Sequence, residues 1–160
     1  RAAARKPALV IADEPVSALD VSVQAQILTL LNEIKQRRRL AMIFISHDLS
    51  VVRYISERVG VMYLGELVET GPTAEVFALP RHPYTAALLS AVPQPVPGRA
   101  LNRIRLPGEP PNPIDLPSGC PFAPRCRFAV DACETVTPEP VAIRDGQIVR
   151  CLRVGELAAV

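Results

Sequence analysis

The sequence predicts an α/β fold built on a parallel sheet and followed by a Pro-rich, loop-rich C-terminal extension, and three observations carry that prediction. Two short, wholly apolar runs rich in β-formers, Ala8 to Ala12 (ALVIA) and Leu40 to Ile45 (LAMIFI), flank a stretch with helical spacing of apolar residues. Eight of the 17 prolines fall from Pro93 to Pro117, where neither regular helix nor central strand can form. All four cysteines lie beyond that stretch, at Cys120, Cys126, Cys133 and Cys151.

The first strand ends in two adjacent acids, Asp13 and Glu14. Asp20 is placed to cap a helix whose apolar positions are Val23, Ile27, Leu30, Leu31 and Ile34. That helix ends in the basic cluster Lys35 to Arg39, read as a solvated last turn that complements the helix dipole. The second strand runs to Ser46-His47-Asp48, and Asp48 caps a short helix through Glu57. Strand, helix, strand, helix implies a parallel crossover, which brings Asp13, Glu14 and His47 to one edge of the sheet. Open α/β sheets bind ligands at that edge. Val59 to Leu64 and Leu67 to Glu69 flank Gly65-Glu66 and read as a hairpin, followed by a short helix over Thr73 to Leu79. His82-Pro83-Tyr84 opens a further helix through about Val92, with Pro where a missing N–H costs least. Pro93 to Pro117 is expected as an extended arm or wrap.

A chain of 160 residues with 49% hydrophobic content can bury a core. A net charge of +2 from 18 basic and 16 acidic residues supplies no field to steer the protein onto nucleic acid, and no nucleic-acid partner is expected. No apolar run approaches the ~20 residues of a membrane span, and Arg1 to Pro7 lacks a signal peptide's apolar stretch, so a cytosolic setting is expected.

An acid at the end of a buried strand is costly to keep charged unless a cation or donors meet it. Asp13 suits a Mg²⁺ ligand, Glu14 a general base for an attacking water, and His47 a donor to a terminal phosphate. "LVIADEP", then "SALD", then "SHD" after the next strand resemble the Walker-B segment, D-loop and switch histidine of ATP-binding cassette (ABC) ATPases. The resemblance implies a P-loop NTPase sheet that uses ATP and Mg²⁺, with Asp13 on the Mg²⁺ side, Glu14 as catalytic base and His47 as the γ-phosphate switch. Ser17 to Asp20 become the loop that crosses to a second ATPase subunit. Val16 stands where Thr is common in the family and keeps its β-branched shape.

A phosphate-cradling loop is not found. The one G-x-x-x-x-G, Gly60 to Gly65, has Glu66 where Lys is required and lies in the predicted hairpin. No LSGGQ-type signature occurs either, and Arg1 to Arg5 is read as the tail of the helix that follows one. The chain is therefore expected to be the C-terminal part of an ABC ATPase, a partial P-loop sheet that alone does not turn over ATP.

"RHPYTAALLSAVP" (Arg81 to Pro93) and "LPGEPPNPIDLPSGCPFAPRC" (Leu106 to Cys126), with the later cysteines, resemble the extension of oligopeptide and dipeptide transporter ATPases. The expected division is 1–79 for the nucleotide-binding half and 80–160 for the extension. The cysteine gaps, C-x5-C-x6-C-x17-C, fit the paired ligands of structural zinc poorly and leave a loop-wrapped cluster or free thiols open. Some members of the resembled family carry a [4Fe-4S] cluster on these four positions, which makes them the expected metal ligands here. The resemblance further implies a peptide importer at the cytoplasmic face of the bacterial inner membrane, with two permease subunits and, indirectly, a peptide-binding protein. Two readings compete within it: a non-catalytic metal- and partner-binding module, and an importer ATPase for another solute such as nickel. An ABC ATPase of DNA repair is disfavoured by the near-neutral charge and the absence of heptads.

Overall fold

The computed structural model describes residues 7–93, 103–143 and 146–156 and divides into two compact units, 1–56 and 57–160. Arg1 to Arg5, expected to end a helix, lie outside the described residues, as do 94–102 of the expected arm.

The first unit alternates strand and helix. Strand β1 (Leu9–Asp13) pairs in parallel with β2 (Ala41–Ile45), from Leu9 opposite Ala41 to Asp13 opposite Ile45. Helix α1 (Val21–Arg38) makes the crossover, and α2 (Leu49–Ile55) follows β2. Both helices start where a carboxylate meets free amides: Asp20 accepts from the N–H groups of Ser22 and Val23, and Asp48 from those of Ser50 and Val51. Val16, Leu28, Val51 and Ile55 form the core, with Ile27, Leu31 and Phe44 packed against it. The face of α1 differs from the expected one. Leu28 is its buried residue, whereas Val23 and Leu30 are exposed, because the core lies under 27, 28 and 31 and not along the whole apolar series.

The strands also differ from expectation in being covered on one face only among the described residues. Leu9, Ile11, Ile43 and Ile45 on the other face are 46% to 63% exposed, so two wholly apolar strands stand in a sheet that buries half of each.

The second unit is built on an antiparallel sheet of order β3-β4-β6-β5. Strands β3 (Arg58–Tyr63) and β4 (Glu66–Pro72) form the expected hairpin, closed by Leu64 and Gly65 at φ 46° and 85°. Two consecutive positive φ values are what a two-residue primed turn demands, and Gly at the second makes it cheap. Helices α3 (Thr73–Ala78) and α4 (Pro83–Ser90) come next, near their predicted positions. Residues 103–117 run without helix or strand, and the Ile104 N–H returns to the Ser90 hydroxyl at the end of α4. After a 3₁₀ turn (Ala123–Arg125) and α5 (Asp131–Thr135), β5 (Pro140–Ala142) and β6 (Ile148–Arg150) complete the sheet, with Glu69 and Thr70 of β4 opposite Val149 and Ile148 of β6. Neither β5 nor β6 is predicted from the sequence. Their pairing ties the hairpin to the later chain, so the compact units meet at 56/57, whereas the sequence reading divides the chain at 79/80. The core of this unit holds Val61, Tyr63, Val68 and Phe122, with the Tyr63 and Phe122 rings edge to face at 5.3 Å. No helix among the described residues is long and apolar enough to cross a membrane.

Candidate functional site

Because β1 and β2 run in parallel, their C-terminal ends share one edge. β1 stops at Asp13, and the Glu14 N–H extends the ladder by one bond to the Ile45 carbonyl at 3.0 Å. Glu14 itself sits at φ 46°, a left-handed conformation that a side-chain-bearing residue adopts at a cost. That turn interrupts the alternation of a strand and re-aims the Glu14 carboxylate at the neighbouring strand end. There its Oε1 lies 2.8 Å from Nδ1 of His47. The Glu14 carbonyl accepts from both the N–H and the hydroxyl of Ser17, at 3.3 and 3.0 Å, which braces the turn.

The hydrogen bond and the negative charge of Glu14 raise the His47 pKa above its usual value, so the pair keeps its ionic character above the pH at which a free imidazole loses it. Asp13 stands exposed at the same strand end. Of the residues singled out from sequence, the structure brings Glu14, His47 and Ser17 into contact, with Asp13 adjacent in the chain. Asp20 is engaged in capping α1.

In the second unit the structure reveals a polar group that sequence reasoning missed. Glu69 of β4 is fully buried and accepts the N–H groups of Arg81 and His82, both at 2.9 Å. Burial raises its pKa, and the two amides oppose that shift. His82, 1% exposed, caps α4 by accepting the Tyr84 N–H on Nδ1 at 3.1 Å. Burial pushes its pKa down to about 4, so the ring is neutral and its proton is on Nε2. The signal available in sequence was the His-Pro helix start, which indicates a cap and not a partner.

A depressed His pKa means that the unfolded chain takes up a proton below about pH 6.5 while the folded chain resists until about pH 4. Stability is therefore lost as pH falls through that window, by on the order of 3 kcal/mol. The raised Glu69 pKa acts in the opposite sense, since the folded state takes that proton first. Urea unfolding between pH 7 and 4 is expected to show the loss, and His82→Asn, which keeps a capping oxygen, to flatten it. An unchanged slope in that variant would assign the acid sensitivity to other groups.

The four cysteines are half-buried free thiols that line a single cavity with His82, Phe122 and Arg153. Two elements position them. The Cys120 N–H donates to the Cys133 carbonyl at 2.8 Å, joining the loop before the 3₁₀ turn to α5, while Cys151 directly follows β6. Burial raises the pKa values of Cys120, Cys126 and Cys151. The nearby backbone amides of Phe122 and Ala123 at Cys120, of Phe128 and Ala129 at Cys126 and of Arg153 at Cys151 pull the other way, while the Ala123 and Ala129 N–H groups donate to the Cys120 and Cys126 carbonyls at 2.9 and 3.1 Å. Amide dipoles this near a sulfur favour its thiolate form. Among the described residues no three His, Cys, Asp or Glu side chains converge on the position of a single metal ion. The thiols thus form a ring around a cavity and not a preformed one-ion site.

Residues 68–133 match the model of the oligopeptide/dipeptide transporter C-terminal region. The chain is 56% identical over 151 residues, 94% of its length, to a protein of Sinorhizobium fredii named "Probable peptide ABC transporter ATP-binding protein". It is 49% identical over 148 residues, 92% of its length, to the "Dipeptide transport ATP-binding protein" of Haemophilus influenzae. It spans less than half of those relatives, 43% and 45% of their lengths. The chain is thus similar, across both units, to part of proteins named as peptide or dipeptide ABC transporter ATP-binding proteins, and residues 68–133 match the oligopeptide/dipeptide transporter C-terminal region.

Proposed function

We propose that the chain is part of the ATP-hydrolysing subunit of a bacterial peptide importer, with its catalytic edge at the ends of β1 and β2. The Glu14–His47 contact carries this reading. It sets a general base and a hydrogen-bond donor side by side on a sheet edge, beside a second carboxylate and on a strained backbone. Asp13 fits a Mg²⁺ ligand because its carboxylate is exposed at the strand end; the ion would neutralise phosphate charge there. Glu14 accepts the proton of the water that attacks the terminal phosphate. His47 hydrogen-bonds that phosphate on one side and Glu14 on the other, so loss of the phosphate is felt at the base. Ser17 braces the turn, and the loop from Ser17 to Asp20 faces a second ATPase subunit. The bare face of Leu9, Ile11, Ile43 and Ile45 supports a larger sheet, which the greater length of the relatives would supply. Two permease subunits at the cytoplasmic face of the inner membrane, and indirectly a peptide-binding protein, complete the importer.

Cys120, Cys126, Cys133 and Cys151 fit a bound group larger than one ion, since all four line one cavity while no three of the described His, Cys, Asp or Glu side chains converge on a single-ion position. A [4Fe-4S] cluster held there would supply folding free energy to a segment poor in regular structure, and one-electron chemistry besides. The same cavity supports the second reading, a metal-binding module that docks a partner without catalysis.

The test is ATP hydrolysis by the full-length protein in membranes that hold its permeases. Stimulation by di- or oligopeptides with their binding protein is the expected result. Stimulation by nickel alone would replace the substrate class, and no hydrolysis under any condition would favour the non-catalytic module.

A further inference from the structure

The cysteine cavity carries more than its thiols. Four thiolates around a cluster of charge 2+ leave a double negative charge in a half-buried site. Such a charge is retained only where the protein supplies compensation. Among the described residues that line the cavity, Arg153 is the one whose side chain is a permanent cation.

Arg153 is also held in place. Its Nη1 donates to the Phe128 carbonyl at 3.0 Å and its Nε to Glu156 Oε2 at 2.7 Å. Phe128 lies two residues after Cys126, and Arg153 lies two residues after Cys151. One side chain therefore joins two cysteine-bearing segments far apart in sequence and keeps a cation over the cavity between them.

We propose that Arg153 is the positioning residue of the four-cysteine site, offsetting the charge of the thiolate-bound group and fixing the Cys126 and Cys151 segments around it. The inference rests on the reading of the cysteines as metal ligands. Glu156 limits the effect, because its carboxylate returns part of the negative charge.

The experiment loads the full chain anaerobically with equal Fe²⁺ and Fe³⁺ and with sulfide, and in parallel with Zn²⁺ alone. Metal per chain, the rate of loss to excess chelator and, for iron, the reduction midpoint are then measured. Arg153→Gln is expected to lose metal about 10- to 100-fold faster than wild type and to shift the midpoint to more negative values. Arg153→Lys keeps the charge without the planar fork and should hold the midpoint near wild type while still losing metal faster. Glu156→Gln frees the guanidinium from its carboxylate and should move the midpoint to more positive values, a direction that loosened packing would not produce. Thermal unfolding of each metal-free variant reports on folding separately.

If Arg153→Gln retains metal within twofold of wild type, or Glu156→Gln shifts the midpoint in the same direction as Arg153→Gln, the inference is overturned while the cysteine reading stands. A wild-type chain that takes up neither metal overturns the cysteine reading and this inference with it.

Discussion

Glu14→Gln in the full-length protein is expected to lower ATP turnover by about 10²- to 10⁴-fold, the contribution of a positioned general base, while leaving Mg-ATP affinity within a few-fold. Gln keeps the size and the planar head of Glu. Its Oε1 can still accept from His47 across the 2.8 Å contact, and it meets the same left-handed backbone at φ 46°. What is removed is the proton affinity of the carboxylate and the negative charge that raises the His47 pKa. A loss confined to kcat is the signature of an interaction made in the transition state, so single-turnover phosphate release and equilibrium nucleotide binding should be measured together. Turnover within threefold of wild type would take Glu14 out of the base role. Weakened binding with unchanged kcat would assign it to substrate affinity.

Gly119→Ala is expected to destabilise the second unit by about 3 kcal/mol and to make the cysteine thiols more reactive. A Cβ at residue 119 would overlap the carbonyl oxygen of Cys133 and stand 2.5 Å from the carbonyl carbon of Glu134. Both obstacles are backbone, so no side-chain rotation relieves them. The loop carrying Cys120 must then move off α5, which breaks the bond from the Cys120 N–H to Cys133 and opens the ring of thiols. Gly155→Ala, where nothing lies within 4 Å of the added carbon, is the matched control and should behave as wild type. Urea unfolding and thiol reactivity of the metal-free chain report the two effects. Stability and thiol accessibility equal to the control would show that the loop absorbs a methyl group, and the packing argument would be wrong.

The contrast between those two sites shows which structure can be read locally. Asp20 and Asp48 cap the helices that follow them because a carboxylate beside free amides acts within three residues. The parallel pair, its helical crossover, the hairpin and the His-Pro start of α4 are legible for the same reason: periodicity and turn chemistry are short-range. The shared strand-end edge follows from chain direction alone. The same sequence places four cysteines in one segment, and the structure places all four at one cavity.

What required the tertiary structure is set by partners distant in sequence. The Glu14–His47 contact needs a register that puts Asp13 opposite Ile45, together with a left-handed turn that no apolar pattern announces. Glu69 looks like a solvent-facing strand residue until the amides of Arg81 and His82 arrive from a separate helix start and satisfy it in the interior. β5 and β6 are three residues each, too short to show a period, and form because β4 offers an edge to pair with. The sequence by itself therefore determined the parallel pair, the hairpin, the first four helices with the Asp20, Asp48 and His82 starts, and the residue types available for phosphate and metal chemistry. Only the tertiary structure decided which polar groups meet, because burying a charge is affordable solely where a distant donor completes it.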